Sequence, residues 1–136
     1  MGAPYRSDGH PPDPPCPGCG EPMRTYGTRL CCDACEGIFL TDADFASSID
    51  ELIRMEPTLD IQDRGIGDRL CPRCRAPMHL VHVVVHVVQK QVNVPPELDH
   101  CKAHGLWFDP NELAGAYQHI HWLLYPHLSA RAGYRG

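Results

Sequence analysis

The chain has 136 residues, with 12 Lys plus Arg against 17 Asp plus Glu and a formal net charge of −5. This length predicts one compact domain or two very small ones, and the acidic balance disfavours non-specific binding to nucleic acid. No run approaches the roughly 18 apolar residues of a transmembrane helix, and residues 1–15 lack the apolar centre of a signal peptide. We therefore expect a cytoplasmic protein that is not bound to a membrane.

The 12 glycines and 14 prolines make the chain rich in loops. Such a small domain rarely buries enough apolar surface to fold unaided, and it usually needs a disulfide or metal crosslink. The eight cysteines can supply one. Because thiols stay reduced in the cytosol, metal binding is favoured over a disulfide framework, which is the alternative.

The chain contains one cysteine motif twice. Residues 16–23 read Cys-Pro-Gly-Cys-Gly-Glu-Pro-Met, and residues 71–78 read Cys-Pro-Arg-Cys-Arg-Ala-Pro-Met. A second element follows each copy. Residues 32–41 (Cys-Asp-Ala-Cys-Glu-Gly-Ile-Phe-Leu-Thr) parallel residues 101–109 (Cys-Lys-Ala-His-Gly-Leu-Trp-Phe-Asp), with one residue missing after His104. We interpret the chain as a tandem repeat.

This repeat divides the chain into two predicted units. The boundaries are a disordered Pro-rich leader at 1–14, a first unit at 15–56, a linker at 57–69, a second unit at 70–127 and a loose tail at 128–136. Each unit is predicted to form a β-hairpin between its cysteine pairs and then an α-helix. The predicted fold class is therefore a small, metal-stabilised α+β protein.

The helix of the first unit has readable end signals. Thr41 is the predicted N-cap, Asp44 follows three residues later, and Pro57 is the predicted stop. Its apolar side chains recur at helical spacing: Phe45, Ile49, Leu52 and Ile53. Packing against the helix's own unit is favoured over a groove for a partner.

The helix of the second unit has a similar set of signals. Asp109 is the predicted cap, Pro110 the first helical residue, Glu112 the acid of a capping box and Pro126 the stop. Its apolar stripe comprises Leu113, Tyr117, Ile120 and Leu124.

The second unit carries a longer insert between its cysteine pairs. Residues 80–94 are rich in valine and predict a long strand or a pair of strands, closed by Pro95-Pro96, with a further strand around Glu97 to Cys101. On one strand face lie Val81, Val83, Val85 and Val87, and on the other His82, Val84, His86 and Val88. Such a strand is either buried within the unit or exposed to a partner.

The paired cysteines predict two zinc sites. A Cys-x-x-Cys turn offers two thiolates to one ion, and zinc takes four such ligands in a tetrahedron. The predicted ligands are Cys16, Cys19, Cys32 and Cys35 in the first unit and Cys71, Cys74, Cys101 and His104 in the second. Four protein ligands leave no position for water, so both Zn²⁺ ions are expected to be structural and no catalytic residue is assigned.

Two side chains beside these ligands leave alternatives open. Cys31 lacks the two-residue spacing to Cys35 and is left as a free thiol, either buried or reactive. His100 competes with His104 as the fourth ligand of the second site. His104 is preferred because its spacing from Cys101 repeats the spacing of the first unit.

The repeated pattern resembles the TFIIB-type zinc-ribbon family of small prokaryotic proteins. Residues 104–113 (His-Gly-Leu-Trp-Phe-Asp-Pro-Asn-Glu-Leu) are close to its signature, whereas the first copy departs from it at Phe39 and Thr41. The resemblance covers roughly residues 15–53 and 70–114. It implies two tandem zinc ribbons that bind metal, and the long insert departs from the compact pattern.

Two binding functions follow from these features. The favoured one is a non-enzymatic adaptor for protein–protein interaction, because closed metal sites and an apolar insert suit a protein partner. The alternative is a nucleic-acid-binding or transcription-associated protein, in which basic and aromatic side chains cluster near the second zinc. Those side chains are Arg73, Arg75, Lys102, Trp107 and Phe108.

An enzyme is the third and least favoured class. Several histidines can build an open metal site: His79, His82, His86, His119, His121 and His127. However, no His-Glu-x-x-His pattern, nucleophile motif or phosphate-binding loop accompanies them. The oligomeric state is left unassigned.

Overall fold

The computed structural model describes residues 13–125, with the side chain of Pro96 excepted. Its strands are β1 (Arg24–Tyr26), β2 (Arg29–Cys31), β3 (Ile38–Leu40), β4 (Thr58–Leu70), β5 (Pro77–Val87), β6 (Lys90–Cys101) and β7 (Gly105–Phe108). Its helices are α1 (Asp42–Ile53) and α2 (Glu112–Leu124). Neither has the length and hydropathy that a helix needs to cross a bilayer. The leader up to residue 12, the tail at 128–136, Pro126 and His127 lie outside the described residues.

All seven strands form one antiparallel sheet in the order β1-β2-β3-β7-β6-β5-β4. With two helices, the chain is a small α+β protein, as predicted. The two copies of the repeat meet at the centre of this sheet, where β3 pairs with β7. The middle pair is Phe39 opposite Trp107, which are equivalent positions of the repeat. The pairing therefore relates the two copies by a local pseudo-twofold axis.

The segment predicted as a linker, residues 57–69, is not a linker but most of the edge strand β4. This strand pairs with β5 from Thr58 opposite His86 to Leu70 opposite Pro77, with irregular register on either side of Ile66. Only Leu59 and Ile61 of its side chains pack against the core. The remaining positions are mostly polar, and so the sequence pattern did not reveal a strand.

The valine-rich insert is a hairpin made of β5 and β6. Of the two forms left open by the sequence, the pair of strands is therefore correct. Pro95 and Pro96 do not close the strand, because β6 runs on through them to Cys101. They lie at a register shift, between Val94 opposite Val83 and Leu98 opposite Val81. Residues at a bulge need no ladder hydrogen bond, so the missing N–H groups cost little there.

The two faces of the sheet carry different cores. On one face, α1 and α2 cover a cluster that includes all four valines of the predicted β5 stripe, Val81, Val83, Val85 and Val87. These side chains are buried rather than exposed to a partner. Within the same cluster, the Phe45 ring lies 5.1 Å from the Phe108 ring and 6.3 Å from the Tyr117 ring, between centroids. The other face holds a smaller cluster with Phe39, Trp107 and several cysteines.

Helix α1 begins as predicted but ends earlier. Thr41 Oγ1 accepts a hydrogen bond of 2.9 Å from the backbone N–H of Asp44, which confirms the cap. The helix ends at Ile53, because Arg54 adopts a left-handed conformation with φ 60° and so the stop is not Pro57. The predicted stripe is right for Phe45, Ile49 and Ile53, whereas Leu52 is exposed.

Helix α2 begins at Glu112, two residues later than predicted. Asp109 does not cap it, because its carboxylate accepts hydrogen bonds from the side chains of Arg69 and Trp107 instead. The acid half of the capping box does form, since Glu112 Oε1 accepts the backbone N–H of Asp109 at 2.9 Å. The predicted stripe packs inward, with Ile120 and Leu124 buried and Leu113 and Tyr117 partly buried.

The junction between β3 and β7 depends on a glycine. Gly105 has φ +145°, and a Cβ at this position would lie 2.1 Å from the backbone oxygen of Leu40. We expect Gly105→Ala to lower the free energy of unfolding by about 3 kcal/mol or more. Gly115→Ala is the control, because it lies in α2 with open space around it and should raise the same quantity by about 0.5–1 kcal/mol. Urea unfolding at fixed zinc concentration measures both, and equal effects of the two substitutions would contradict this account.

Candidate metal centres

The structure brings the eight predicted ligand side chains into two compact groups. In each group the ligand atoms all lie within 4.8 Å of one another. The first ligand group contains Cys16, Cys19, Cys32 and Cys35, and the second ligand group contains Cys71, Cys74, Cys101 and His104. Across residues 13–125, no further set of three or more His, Cys, Asp or Glu side chains is gathered this closely.

Sulfur separations in the first ligand group fit a shared ion. Cys16 Sγ lies 3.6 Å from Cys35 Sγ, and Cys19 Sγ lies 3.5 Å from Cys32 Sγ. A disulfide requires about 2.05 Å, whereas four sulfurs at about 2.3 Å from a tetrahedral zinc are about 3.8 Å apart. All eight thiols of the chain are free. The group therefore has the dimensions of a metal site.

Backbone N–H groups of the cysteine turns point at the sulfurs. The N–H of Gly18 donates to Cys16 Sγ at 3.2 Å, and the N–H of Cys35 donates to Cys32 Sγ at 3.4 Å. Such donors stabilise a thiolate. Although burial acts to raise it, the pKa of Cys32 is lowered to about 7 by the Cys35 N–H and the neighbouring thiols. The pKa of Cys16 is nevertheless raised by burial, so within this pair of turns the thiolate that metal binding requires is favoured at Cys32.

The second ligand group has comparable dimensions with one imidazole. Cys74 Sγ lies 3.8 Å from Cys101 Sγ, and His104 Nδ1 lies 3.4 Å from Cys101 Sγ and 3.7 Å from Cys71 Sγ. Tetrahedral zinc places such a sulfur and nitrogen about 3.6 Å apart. Burial raises the pKa of Cys71 to about 12, so this thiolate needs a nearby cation to offset the cost of its charge.

The two side chains left open by the sequence both lie outside the groups. His100 Nε2 is 3.1 Å from both carboxylate oxygens of Asp42, and so His104 is the histidine placed with the cysteines. Cys31 is the last residue of β2 and is only partly exposed, and burial raises its pKa. The sequence argument from spacing thus selected the residues that the fold brings together.

Trp107 of the second copy packs against the first ligand group. A Cβ built on Gly37 would lie 2.2 Å from its ring, and one on Gly18 would lie 3.4 Å from it. The ring nitrogen Nε1 donates to Asp109 Oδ1 at 3.1 Å, and Arg69 donates to both oxygens of the same carboxylate at 2.7 Å. Sequence reasoning missed Arg69, because its predicted linker gave it no partner.

This placement corrects the predicted aromatic and basic cluster at the second site. Trp107 is 1% exposed and Phe108 is fully buried, and they lie on opposite faces of the sheet. Arg73, Arg75 and Lys102 are exposed on the turns of the second ligand group, whereas both rings are buried.

Within the described residues, no three of the histidines considered for an open metal site come together. On β5, His79 lies 2.8 Å from Asp63, His82 lies 3.1 Å from Asn93 and His86 lies 3.9 Å from Asp60. His119 and His121 lie on α2 and belong to neither ligand group.

No family model, curated protein or solved structure matches the chain. Function is therefore inferred from the two ligand groups and from the surface and charge of the chain itself.

The packing of Trp107 predicts a selective effect on one metal site. Trp107→Ala removes a buried ring, at a cost of about 3–5 kcal/mol, and opens the first ligand group to water. When both the wild type and the variant are loaded with two equivalents of zinc in vitro, we expect one equivalent to transfer to a chelator at least tenfold faster from the variant. Transfer of the other equivalent should change less. Unchanged release of both ions, followed with a colorimetric zinc indicator, would contradict the proposed contact.

Proposed function

We propose that the chain is a zinc-binding, non-enzymatic protein built from two tandem zinc ribbons, acting as an adaptor for protein–protein interaction. The observation that carries the metal part is the pair of four-ligand groups with tetrahedral dimensions. The adaptor part depends on what the remaining surface offers, and it is tested separately below.

The donor atoms favour zinc over other ions. Sets of four sulfurs, or three sulfurs and one imidazole nitrogen, in tetrahedral arrangement suit zinc or iron, whereas magnesium and calcium prefer oxygen. Zinc is the ordinary partner of three cysteines and one histidine. Each ion would contribute on the order of 10 kcal/mol to folding, and four protein ligands leave no position for a reacting water.

Strand order supports the interpretation as two ribbons. Each copy contributes three consecutive antiparallel strands, β1-β2-β3 and β5-β6-β7, and β4 is added at one edge. In each copy the first cysteine pair precedes the first of these strands and the second pair lies beside the last. This arrangement agrees with the resemblance to TFIIB-type zinc ribbons, in which paired knuckles hold one ion.

A protein partner is favoured by the surface of α2. Its last turn presents Trp122 at 44% exposure and Leu123 at 51% exposure, and a groove runs from Trp122 past His119 to Pro95 and Pro110. Exposed apolar side chains next to a groove are typical of sites that bind another protein. The sequence of α2 itself contains neither lysine nor arginine, so this surface is not suited to phosphate.

Nucleic-acid binding remains the second candidate, and charge counts against it. The aromatic rings suggested for base stacking, Trp107 and Phe108, are buried. Seven ligand thiolates and two Zn²⁺ would change the formal charge by −3, from −5 to about −8. Phosphate contacts are correspondingly unfavourable.

If the metal part of the proposal is right, the chain binds two zinc ions, and substituting one ligand should remove one of them. Cys19 and Cys74 are the exposed ligands of their groups, so serine at either position should disturb packing least. We expect native mass spectrometry to find two zinc ions in the wild type, one in Cys19→Ser and one in Cys74→Ser. Cys31→Ser is the matched control and should retain both. Two ions in every variant would place the metals elsewhere.

The adaptor part of the proposal predicts that a partner protein stays bound to the chain after nuclease treatment. Protein purified from its own cells with zinc retained should carry another protein, and Leu123→Ser should reduce its recovery at least tenfold. Ile66→Ser is the control, because this side chain is 71% exposed and lies on β4, two strands away from the β6 strand that α2 packs against. Recovery that is lost on nuclease treatment would favour nucleic-acid binding, and equal recovery of the two variants would exclude the α2 surface.

A further inference from the structure

Histidine and carboxylate side chains outside the two ligand groups lie around a cavity on the helix-bearing face of the sheet. The cavity measures about 250 Å³, and His79, His100, Asp63 and Lys102 are among the residues that line it. Asp42, the first residue of α1, is within hydrogen-bond distance of His100. None of these side chains belongs to either ligand group.

The two imidazoles lie side by side on neighbouring strands. His79 of β5 is directly opposite His100 of β6, and side chains of opposite residues in an antiparallel pair have Cβ atoms about 5 Å apart. An ion that binds one nitrogen of each ring would fit such a spacing.

Each of the two imidazoles has a carboxylate next to one of its nitrogens, as metal-binding histidines usually do. His79 Nδ1 lies 2.8 Å from Asp63, and His100 Nε2 lies 3.1 Å from Asp42. A carboxylate can only accept at these distances, so each ring donates through one nitrogen and keeps the other for a ligand. Metal-binding histidines almost always have such a partner on the second nitrogen.

Burial and charge both favour a cation here. The His100 side chain is only 10% exposed, so its ring has little freedom to turn away. Asp63 and Lys102 line the cavity and Asp42 contacts His100, so two carboxylates lie around the rings against one ammonium group. An acidic balance attracts a positive ion.

We propose that His79 and His100 bind a third divalent transition-metal ion in this cavity, with Asp63 and Asp42 holding the two rings. With two imidazole ligands and water at its other positions, this ion would be weakly held and exchangeable. It would differ in this respect from the ions of the two ligand groups. Imidazole donors suit Ni²⁺, Cu²⁺ and Zn²⁺.

Nickel titration of the zinc-loaded full chain tests this proposal. We expect calorimetry to detect one Ni²⁺ per chain, and native mass spectrometry to show two zinc ions and one nickel ion together. His79→Ala should weaken the nickel affinity at least tenfold, and Asp63→Asn several-fold. The zinc count separates this test from that of the two ligand groups.

His86→Ala is the matched control for that titration. His86 lies on the same strand with nearly the same side-chain exposure, 43% against 44%, and 3.9 Å from Asp60, but the residues opposite it are Thr58 and Gln91 rather than a second histidine. Its substitution should leave the nickel affinity unchanged. The proposal is overturned if the wild type binds no nickel at millimolar concentration, or if His79→Ala and His86→Ala bind it alike. Retention of two zinc ions and an unchanged circular dichroism spectrum show that a variant is folded.

Discussion

The antiparallel pairing of β3 with β7 is the interaction on which the rest of this structure depends. It sets Phe39 opposite Trp107 and so joins two copies of one motif into a single seven-stranded sheet. Each copy then depends on a glycine that meets the other copy. Gly37 lies against the Trp107 ring, and Gly105 lies against the backbone of Leu40. A side chain at either glycine would force the two copies apart.

This junction also separates the chemistry of the two faces. Alternate residues of β3 and β7 point to opposite sides, so Leu40, Leu106 and Phe108 join the core under the helices, whereas Phe39 and Trp107 join the cysteine side. The long hairpin contributes six valines and one leucine to the helix-bearing core, and β3, β7 and the two helices contribute the rest. The opposite face has few large apolar side chains, and there the two ligand groups would supply crosslinks that a larger core supplies elsewhere.

The hydrogen bonds among Trp107, Asp109 and Arg69 link the cysteine side of the sheet to its edge strand β4. Arg69 of β4 holds the Asp109 carboxylate, which in turn holds the Trp107 ring over the first ligand group. Arg69 also lies 3.5 Å from the mostly buried Asp99 carboxylate, whose pKa burial raises. A residue far along the chain from all four cysteines of the first ligand group thus helps to shape their environment.

Features set by short sequence spacing could be predicted, and features set by distant contacts could not. The Cys-x-x-Cys pairs and the Thr41 cap depend on neighbours within a few residues, so the eight gathered side chains and the start of α1 follow from the pattern. Strand β4 could not be predicted, because its stability comes from pairing with β5 rather than from its own mostly polar residues. A distant contact also explains why the predicted role of Asp109 was wrong. Its position before Pro110 predicts a helix cap, but its carboxylate accepts hydrogen bonds from Arg69 and Trp107 instead.

X-ray absorption at the zinc edge of the purified full chain tests the central claim most directly. Two sites with seven sulfurs and one nitrogen between them predict an average of about 3.5 sulfur and 0.5 nitrogen ligands per zinc, with Zn–S distances near 2.3 Å. A spectrum dominated by oxygen ligands would contradict the account. A zinc-free protein whose cysteines are joined as disulfides would do the same.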